Sequence, residues 1–282
     1  MGERRKLTKG RLGFVSVAVR GGFDDLLRFA IDRGFGIVQI GMDTGGFFPE
    51  GIDAAERGRV KDTYARNDIA LCFHGPSDIP LMNRHTKIRL AGLERYYEMI
   101  DLAVDLGGTH FVIHPGRLAF YSVSKNEIIF MERRIPTLHV RLFEDSLIRL
   151  LDYATNRISL CMENTYALPF PFLKVVGKLA REKGLGLVWD AGHTELAAPA
   201  ARERIIKFFQ ENVRHVKLAH LHDVVDGSDH RELGAGKVNI EGYLELFNTI
   251  GVDIILEIFP QERLLRSIEY LRNLRPAKTG RE

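Results

Sequence analysis

Cysteine and long apolar runs are scarce in this 282-residue sequence, and each scarcity excludes a class of protein. The two cysteines, Cys72 and Cys161, lie in apolar stretches, so we expect buried core thiols rather than a disulfide, as in a reducing cytoplasm. No apolar run is long enough to cross a membrane, and the basic segment 1–10 lacks the apolar core of a secretory signal. A cytoplasmic protein without a membrane partner is expected.

Neither sign of charge dominates, and no stretch has the composition of a linker. The net charge is +3 with much of the excess at the two ends, so charge alone does not indicate nucleic-acid binding. With 45% hydrophobic residues the chain can bury a large core. We therefore expect one domain over residues 11–275, flanked by a basic tail at 1–10 and a C-terminal tail at 276–282.

Short apolar runs alternate with amphipathic segments along the chain. Such runs predict parallel strands that are covered by helices on both faces. The predicted strands are residues 12–18, 36–40, 69–74, 109–114, 158–163, 185–190, 213–220 and 252–258. Eight strand–helix units predict the α/β class and a closed (β/α)8 TIM barrel, whose functional site lies at the carboxyl ends of the strands.

The segment between the fourth strand and the next helix interrupts this alternation. Residues 117–136 contain the aromatic residues Phe120, Tyr121 and Phe130. A loop of this length is usually functional or disordered, and the aromatic content argues against disorder. We interpret it as an inserted loop that covers the site or contacts a protein partner.

Side chains of the metal-binding type stand at or just beyond the ends of six predicted strands. Imidazole and carboxylate groups bind zinc, manganese and iron, and clustered carboxylates repel one another unless a cation neutralises them. A single strand-end histidine is more often structural, but chance does not place so many on one rim. We predict a divalent metal site, with zinc or manganese as the ion. The expected ligands are His74, His114, Glu163, Asp190, His193, His220, His230 and Glu257.

Short motifs around these residues resemble the xylose-isomerase-like TIM-barrel superfamily, which contains sugar isomerases, epimerases and apurinic endonuclease IV. The motifs are HGP at 74–76, HPG at 114–116, EN at 163–164, DAGH at 190–193, HLHD at 220–223, DHRELGAG at 229–236 and LEI at 256–258. Each motif is weak alone, but their combination covers nearly the whole chain in order and is specific.

The resemblance implies two activities, and from the sequence a metal-dependent sugar isomerase or epimerase is favoured. The epimerase type holds one metal between Glu163, Asp190, His220 and Glu257, with Glu163 and Glu257 as catalytic base and acid on opposite sides of the reacting carbon. Its substrate is a small sugar, sugar phosphate or polyol. Against it, the glutamate and arginine that usually contact the sugar have no counterparts here.

The alternative that the resemblance implies is a phosphodiesterase of endonuclease IV type, acting on abasic DNA or another phosphoester. That type holds three zinc ions, so one to three ions are expected. Its additional ligands match His74, His114, His193 and His230. Ser228 stands where the pattern has an aspartate, which Asp226 or Asp229 can replace. The stretches 43–48 and 76–79, which follow strands two and three, have no Arg or Tyr to match the residues that insert into DNA, so nucleic acid is the less favoured partner.

Three residues near the predicted ligands are expected to contact the substrate. Asn164 follows Glu163, and Asn83 and Arg84 lie in the loop after the third strand. A third hypothesis is a non-catalytic barrel with a structural metal. The sequence leaves the oligomeric state open.

Overall fold

Eight parallel strands close into a barrel, as predicted. The computed structural model describes residues 8–43, 45–116, 120–124, 127–130, 135–165 and 169–274. The strands in chain order are β1 (Leu12–Val15), β2 (Ile37–Gly41), β3 (Ala70–His74), β4 (His110–Ile113), β5 (Phe120–Ser124), β6 (Glu127–Phe130), β7 (Ser159–Glu163), β8 (Gly186–Asp190), β9 (Val216–Leu221), β10 (Asp223–Val225), β11 (Ser228–Arg231) and β12 (Asp253–Leu256). Around the barrel the order is β1–β2–β3–β4–β7–β8–β9–β12, and β12 pairs with β1. The predicted (β/α)8 TIM barrel is confirmed.

Helices connect the barrel strands and cover their outer faces. Within the described ranges they are α1 (Phe23–Arg33), α2 (Ala54–Arg66), α3 (Thr86–Asp105), α4 (Pro136–Ala154), α5 (Phe170–Lys183), α6 (Ala191–Leu196), α7 (Pro199–Glu211), α8 (Ile240–Ile250) and α9 (Gln261–Asn273). Helix α1 ends at Gly34, whose φ of 79° is the left-handed conformation that favours glycine. None of the helices in these ranges has the length and apolar character of a membrane span.

Two predicted strands are shorter in the structure because turns replace their ends. Strand β1 stops at Val15, and Ser16–Ala18 form a 3-10 turn in which the Ser16 hydroxyl accepts the Gly41 N–H at 3.0 Å. Strand β9 begins only at Val216, after another 3-10 turn at Val213–His215. Strand β1 thus loses its carboxyl-terminal end, whereas β9 loses its amino-terminal end and keeps His220 near the mouth of the barrel.

The core fills the barrel and the layer between the strands and the helices. Trp189 of β8 is buried and stacks on Phe209 of α7, with ring centroids 4.6 Å apart. Cys72 and Cys161 are buried and free, as expected from their apolar surroundings. The core therefore fixes the strands without a disulfide among the described residues.

Part of the inserted loop forms an antiparallel hairpin, which the sequence analysis did not predict. Strand β5 pairs with β6, with Phe120 opposite Phe130. Both strands are rich in β-branched and aromatic residues, which favour extended backbone. The other residues of segment 117–136 lie outside the described residues except for 135 and 136, so its role as a cover or partner surface stays a prediction. The tails at 1–7 and 275–282 also lie outside them.

Candidate metal centre

The eight predicted ligands converge at the carboxyl-terminal mouth of the barrel. They fall into groups whose ligand atoms lie within 4.8 Å of one another, so each group can hold a metal ion. Group 1 is His74, His114 and Glu163; group 2 is Glu163, Asp190, His220 and Glu257; group 3 is His193, His222 and His230. Glu163 belongs to two groups, so one carboxylate can bridge two ions.

Glu163 lies at the centre of the cluster. Its Oε2 lies 3.1 Å from Nε2 of both His74 and His114 and 3.2 Å from Nδ1 of His220. Its Oε1 lies 3.3 Å from Nδ1 of His193. The Glu163 side chain is fully buried, so the imidazoles and any bound cation take the place of water around this carboxylate.

In group 2, the His220 ring contacts two carboxylates through Nδ1 and the side chain of Gln39 through Nε2. Its Nδ1 lies 3.0 Å from Oε2 of Glu257 and 3.8 Å from Oδ2 of Asp190. The Gln39 amide nitrogen lies 3.0 Å from His220 Nε2, while the buried Gln39 Oε1 has no hydrogen-bond partner. If the amide is turned over, Oε1 accepts a hydrogen bond from the Nε2–H group, and this tautomer leaves the lone pair of Nδ1 for a metal.

Of group 3, His230 lies in the β10–β11 hairpin and His222 directly precedes that hairpin. Asp226 and Gly227 form its two-residue turn with φ values of 50° and 74°, the conformation of Asp-Gly hairpin turns. The buried Asp223 carboxylate accepts four backbone N–H groups from residues 224, 234, 236 and 238 at 2.8–3.1 Å. The His230 ring is stacked between His222 and Phe259, at centroid distances of 4.5 and 5.0 Å. These contacts hold His230 at the mouth.

Two residues, His222 and Asp229, contact the rings of His193 and His230. His222 accepts the His230 N–H at Nδ1 (2.9 Å), so its neutral form carries the proton on Nε2, which lies 3.1 Å from Asp190 Oδ2. Asp229 lies 3.0 Å from His230 Nδ1 and 3.6 Å from His193 Nε2. In this arrangement His222 orients Asp190. Position 228, where the endonuclease pattern has an aspartate, is a serine here, and the neighbouring Asp229 offers a carboxylate oxygen in its place.

The buried charges shift one another's pKa strongly. Burial disfavours the imidazolium form, but Glu163 and Glu257 outweigh burial and raise the pKa of His220 well above its usual value. Similarly, Asp229 and Glu257 overcome the burial of His230 and raise its pKa to about 10. Burial by itself raises the pKa of Glu163, yet His220 and His114 hold it well below its usual value. Without a metal, protons on these histidines balance the negative charge of the carboxylates, and a bound cation can replace those protons.

Several buried polar atoms at the centre contact an opposite charge but lack an aligned hydrogen bond, which fits a divalent metal. Buried atoms without an aligned hydrogen-bond partner include His114 Nε2, Glu163 Oε1, His220 Nδ1 and Glu257 Oε2. Burying polar atoms without an aligned hydrogen bond is costly, and all four belong to groups 1 and 2. Imidazole and carboxylate are also the donors that zinc and manganese prefer. The residues present therefore fit the expected metal.

The predicted substrate-binding residues have other contacts in the structure. The Asn164 side chain is buried; its Oδ1 accepts the Asp190 N–H at 2.8 Å and its amide donates to the Asp190 carbonyl at 3.2 Å. Asn83 Oδ1 accepts the His85 N–H at 2.9 Å, and Arg84 is exposed beside it. Asn164 thus positions β8, and substrate contact by these three residues stays a prediction.

Sequence reasoning missed two residues of the centre, His222 and Gln39. His222 follows His220 by two positions, and this strand spacing puts both side chains on the same face. Gln39 is a fully buried polar residue in the otherwise apolar strand β2. The two-residue spacing of the histidines and the single polar residue within an apolar run are visible in the sequence. Either pattern is also common in residues with a purely structural role, and only the contacts in the structure connect these two residues with the centre.

Comparisons with known proteins match the fold and the family. Residues 27–274 match the family model of the xylose isomerase-like TIM barrel. A D-tagatose 3-epimerase-like protein is 19% identical with a TM-score of 0.73, covering 93% of this chain and 96% of that one. Endonuclease IV from Thermus thermophilus is 18% identical with a TM-score of 0.67, covering 93% and 98%. An IolI protein with a bound zinc atom is 16% identical with a TM-score of 0.67, covering 93% of both chains.

A search among curated proteins finds no significant match. The family match extends over most of the barrel, and the solved structures share its fold. The chain belongs to the xylose isomerase-like TIM-barrel family, and the resemblance inferred from its motifs is confirmed. The solved structures that share this fold bear the names of different reaction classes, so the fold by itself does not choose between them.

Proposed function

We propose that the protein is a divalent-metal-dependent hydrolase of phosphoesters, of the general type of endonuclease IV. The observation that carries this proposal is the sharing of Glu163 between two ligand groups, with a third group beside them. An epimerase with a single metal needs only group 2, and it gives no metal-binding role to His74, His114, His193 and His230. We therefore place the hydrolase first, although the sequence by itself favours the isomerase or epimerase.

Divalent ions held by these groups would supply Lewis acidity to the phosphate and to the attacking water. The chain itself fixes the ligand atoms. His74 donates from Nδ1 to the Gly75 carbonyl at 2.8 Å, which would leave the lone pair of Nε2, 3.1 Å from Glu163 Oε2, for a metal ion shared with that carboxylate. The Asn164 carbonyl lies 3.2 Å from His193 Nδ1 and can set the tautomer of that ring in the same way. Such partners orient a ligand and strengthen it as a base.

A sugar isomerase or epimerase is the second candidate, because group 2 is a complete ligand set by itself. Glu163, Asp190, His220 and Glu257 supply three carboxylates and one imidazole, and Glu163 and Glu257 meet at the same His220 nitrogen. The D-tagatose 3-epimerase-like protein, with its TM-score of 0.73, also supports this candidate. A non-catalytic barrel with a structural metal is the third.

Three substrates separate these candidates. Zinc- or manganese-loaded protein is expected to hydrolyse bis(p-nitrophenyl) phosphate or a duplex with an abasic site, and a chelator should stop the reaction. Glu163→Gln should abolish turnover, whereas Glu50→Gln, at an exposed glutamate that pairs with Arg95, should retain it. If neither phosphoester is cleaved and a ketose gains deuterium from D2O, the isomerase candidate replaces the hydrolase. No turnover of any substrate would favour the non-catalytic barrel.

A further inference from the structure

A cavity beside group 3 has the composition of an anion-binding site. It has a volume of about 760 Å³ and lies between the β10–β11 hairpin and the start of α9. Its lining includes His230 and Asp229 of the metal centre, so a molecule that fills the cavity reaches the centre directly. Its walls also contain two arginines that groups 1 to 3 do not use, Arg231 and Arg263.

Neither arginine forms an ion pair with a carboxylate of the described residues, although a neighbouring arginine does. On the same helix, Arg266 pairs with Glu232. By contrast, the buried Nε of Arg231 has no hydrogen-bond partner, and Arg263 makes only a 3.5 Å contact with the Phe259 carbonyl. A buried guanidinium N–H without an acceptor is costly, so the arrangement favours a ligand that brings oxygen atoms.

The N-terminal end of α9 adds positive potential to the same cavity. Pro260, which precedes this 13-residue helix, lines the cavity, and Arg263 lies in the first turn. The first backbone N–H groups of a helix carry partial positive charge and attract anions. Asp229 supplies a carboxylate to the lining, but it contacts His193 and His230. The balance of charge in the cavity is therefore positive.

We infer that Arg231 and Arg263 bind a phosphate group of the substrate other than the phosphate that reacts. This inference rests on the proposed hydrolase activity and narrows its substrate to phosphoesters that carry a further phosphate. Guanidinium groups suit this task because their planar N–H donors match phosphate oxygens in pairs. Both an oligonucleotide and a doubly phosphorylated sugar supply such a group.

Calorimetry with inorganic phosphate on the metal-loaded full chain tests the site without relying on catalysis. Arg231→Gln and Arg263→Gln should each weaken phosphate binding by about tenfold or more, the effect of losing one charge-assisted hydrogen bond. Arg263→Lys should restore part of the affinity. The matched control is Arg272→Gln, an exposed arginine at the other end of α9, which should bind phosphate as the parent does. If the Arg231 and Arg263 variants also bind as the parent does, the assignment is wrong.

Kinetics then identify the source of the phosphate. For an oligonucleotide or for fructose 1,6-bisphosphate, Arg263→Gln should raise KM about tenfold more than it does for bis(p-nitrophenyl) phosphate. The substrate that shows this difference is the one whose second phosphate occupies the cavity. An equal rise in KM for all three would contradict the inference. If no phosphoester is hydrolysed, the proposed function fails, while the calorimetric result still decides the phosphate site.

Discussion

Replacing the central carboxylate should destabilise the metal-free protein in a pH-dependent way. Glu163→Gln keeps the shape of the side chain but removes the charge that contacts His74, His114 and His220 at 3.1–3.2 Å. Removing one partner of a buried ion pair costs about 3–5 kcal/mol. At roughly 2–4 °C of Tm per kcal/mol for a large domain, the expected decrease in Tm is about 6–20 °C.

The pH dependence distinguishes lost pairing from lost packing. The carboxylates overcome burial and raise the pKa of His74 and His220 in the folded state. Their stabilisation is therefore present in full below the unfolded-state pKa of about 6.5 and is lost as the pH rises through the raised folded-state values. The difference in Tm between the parent and Glu163→Gln should shrink from pH 6 to pH 10.

Thermal unfolding of chelator-treated protein, followed by circular dichroism, measures this difference. Glu50→Gln is the matched control, because this exposed glutamate pairs with Arg95 at the surface and its loss should leave Tm nearly unchanged. A Tm of Glu163→Gln equal to that of the parent would refute the pairing. So would a decrease of the same size at pH 6 and pH 10, which would indicate a packing defect instead.

Three further predictions concern the hairpin side of the centre and its protons. Gly192→Ala places a Cβ about 2.0 Å from the His222 ring and should lower the free energy of unfolding by about 1–3 kcal/mol, measured by denaturant unfolding. It should also weaken metal affinity, measured by metal titration. An unchanged metal affinity would show that His222 does not support Asp190. Asp223→Ala leaves four backbone N–H groups without their acceptor and should cost about 3 kcal/mol or more, whereas a loss below about 1 kcal/mol would contradict the anchoring role. Metal binding at pH 8 should release protons, because the pKa of His230 is about 10 without metal; calorimetry in buffers of different ionisation enthalpy measures the release, and none is expected if these imidazoles do not bind the ion.

The barrel and most of the clustered side chains could be predicted because both depend on local sequence patterns. Each barrel strand is a short apolar run, and six of the eight predicted ligands sit where such a run ends, whereas His193 and His230 lie in the segments that follow. In the structure β3, β4 and β7 are neighbours, which brings His74, His114 and Glu163 together in group 1. Because the barrel order follows the chain order, an alternation of strands and helices is enough to predict this convergence.

The hairpins could not be predicted in the same way, because their contacts are not periodic. Strands β10 and β11 are only 3 and 4 residues long, and what fixes them is the buried Asp223 carboxylate. The role of His222 depends on which ring nitrogen the His230 N–H reaches, and no spacing in the sequence contains that information. The cavity with Arg231 and Arg263 likewise exists only once β11 and α9 lie side by side.

Counting the metal ions bound to the purified protein tests the central claim most directly. Elemental analysis of metal-loaded protein should find more than one and up to three divalent ions per chain, because groups 1, 2 and 3 each offer a set of ligand atoms. In Glu163→Gln the count should fall, since groups 1 and 2 share that carboxylate. A single ion per chain, or a count that Glu163→Gln leaves unchanged, would contradict the shared site and with it the proposed hydrolase.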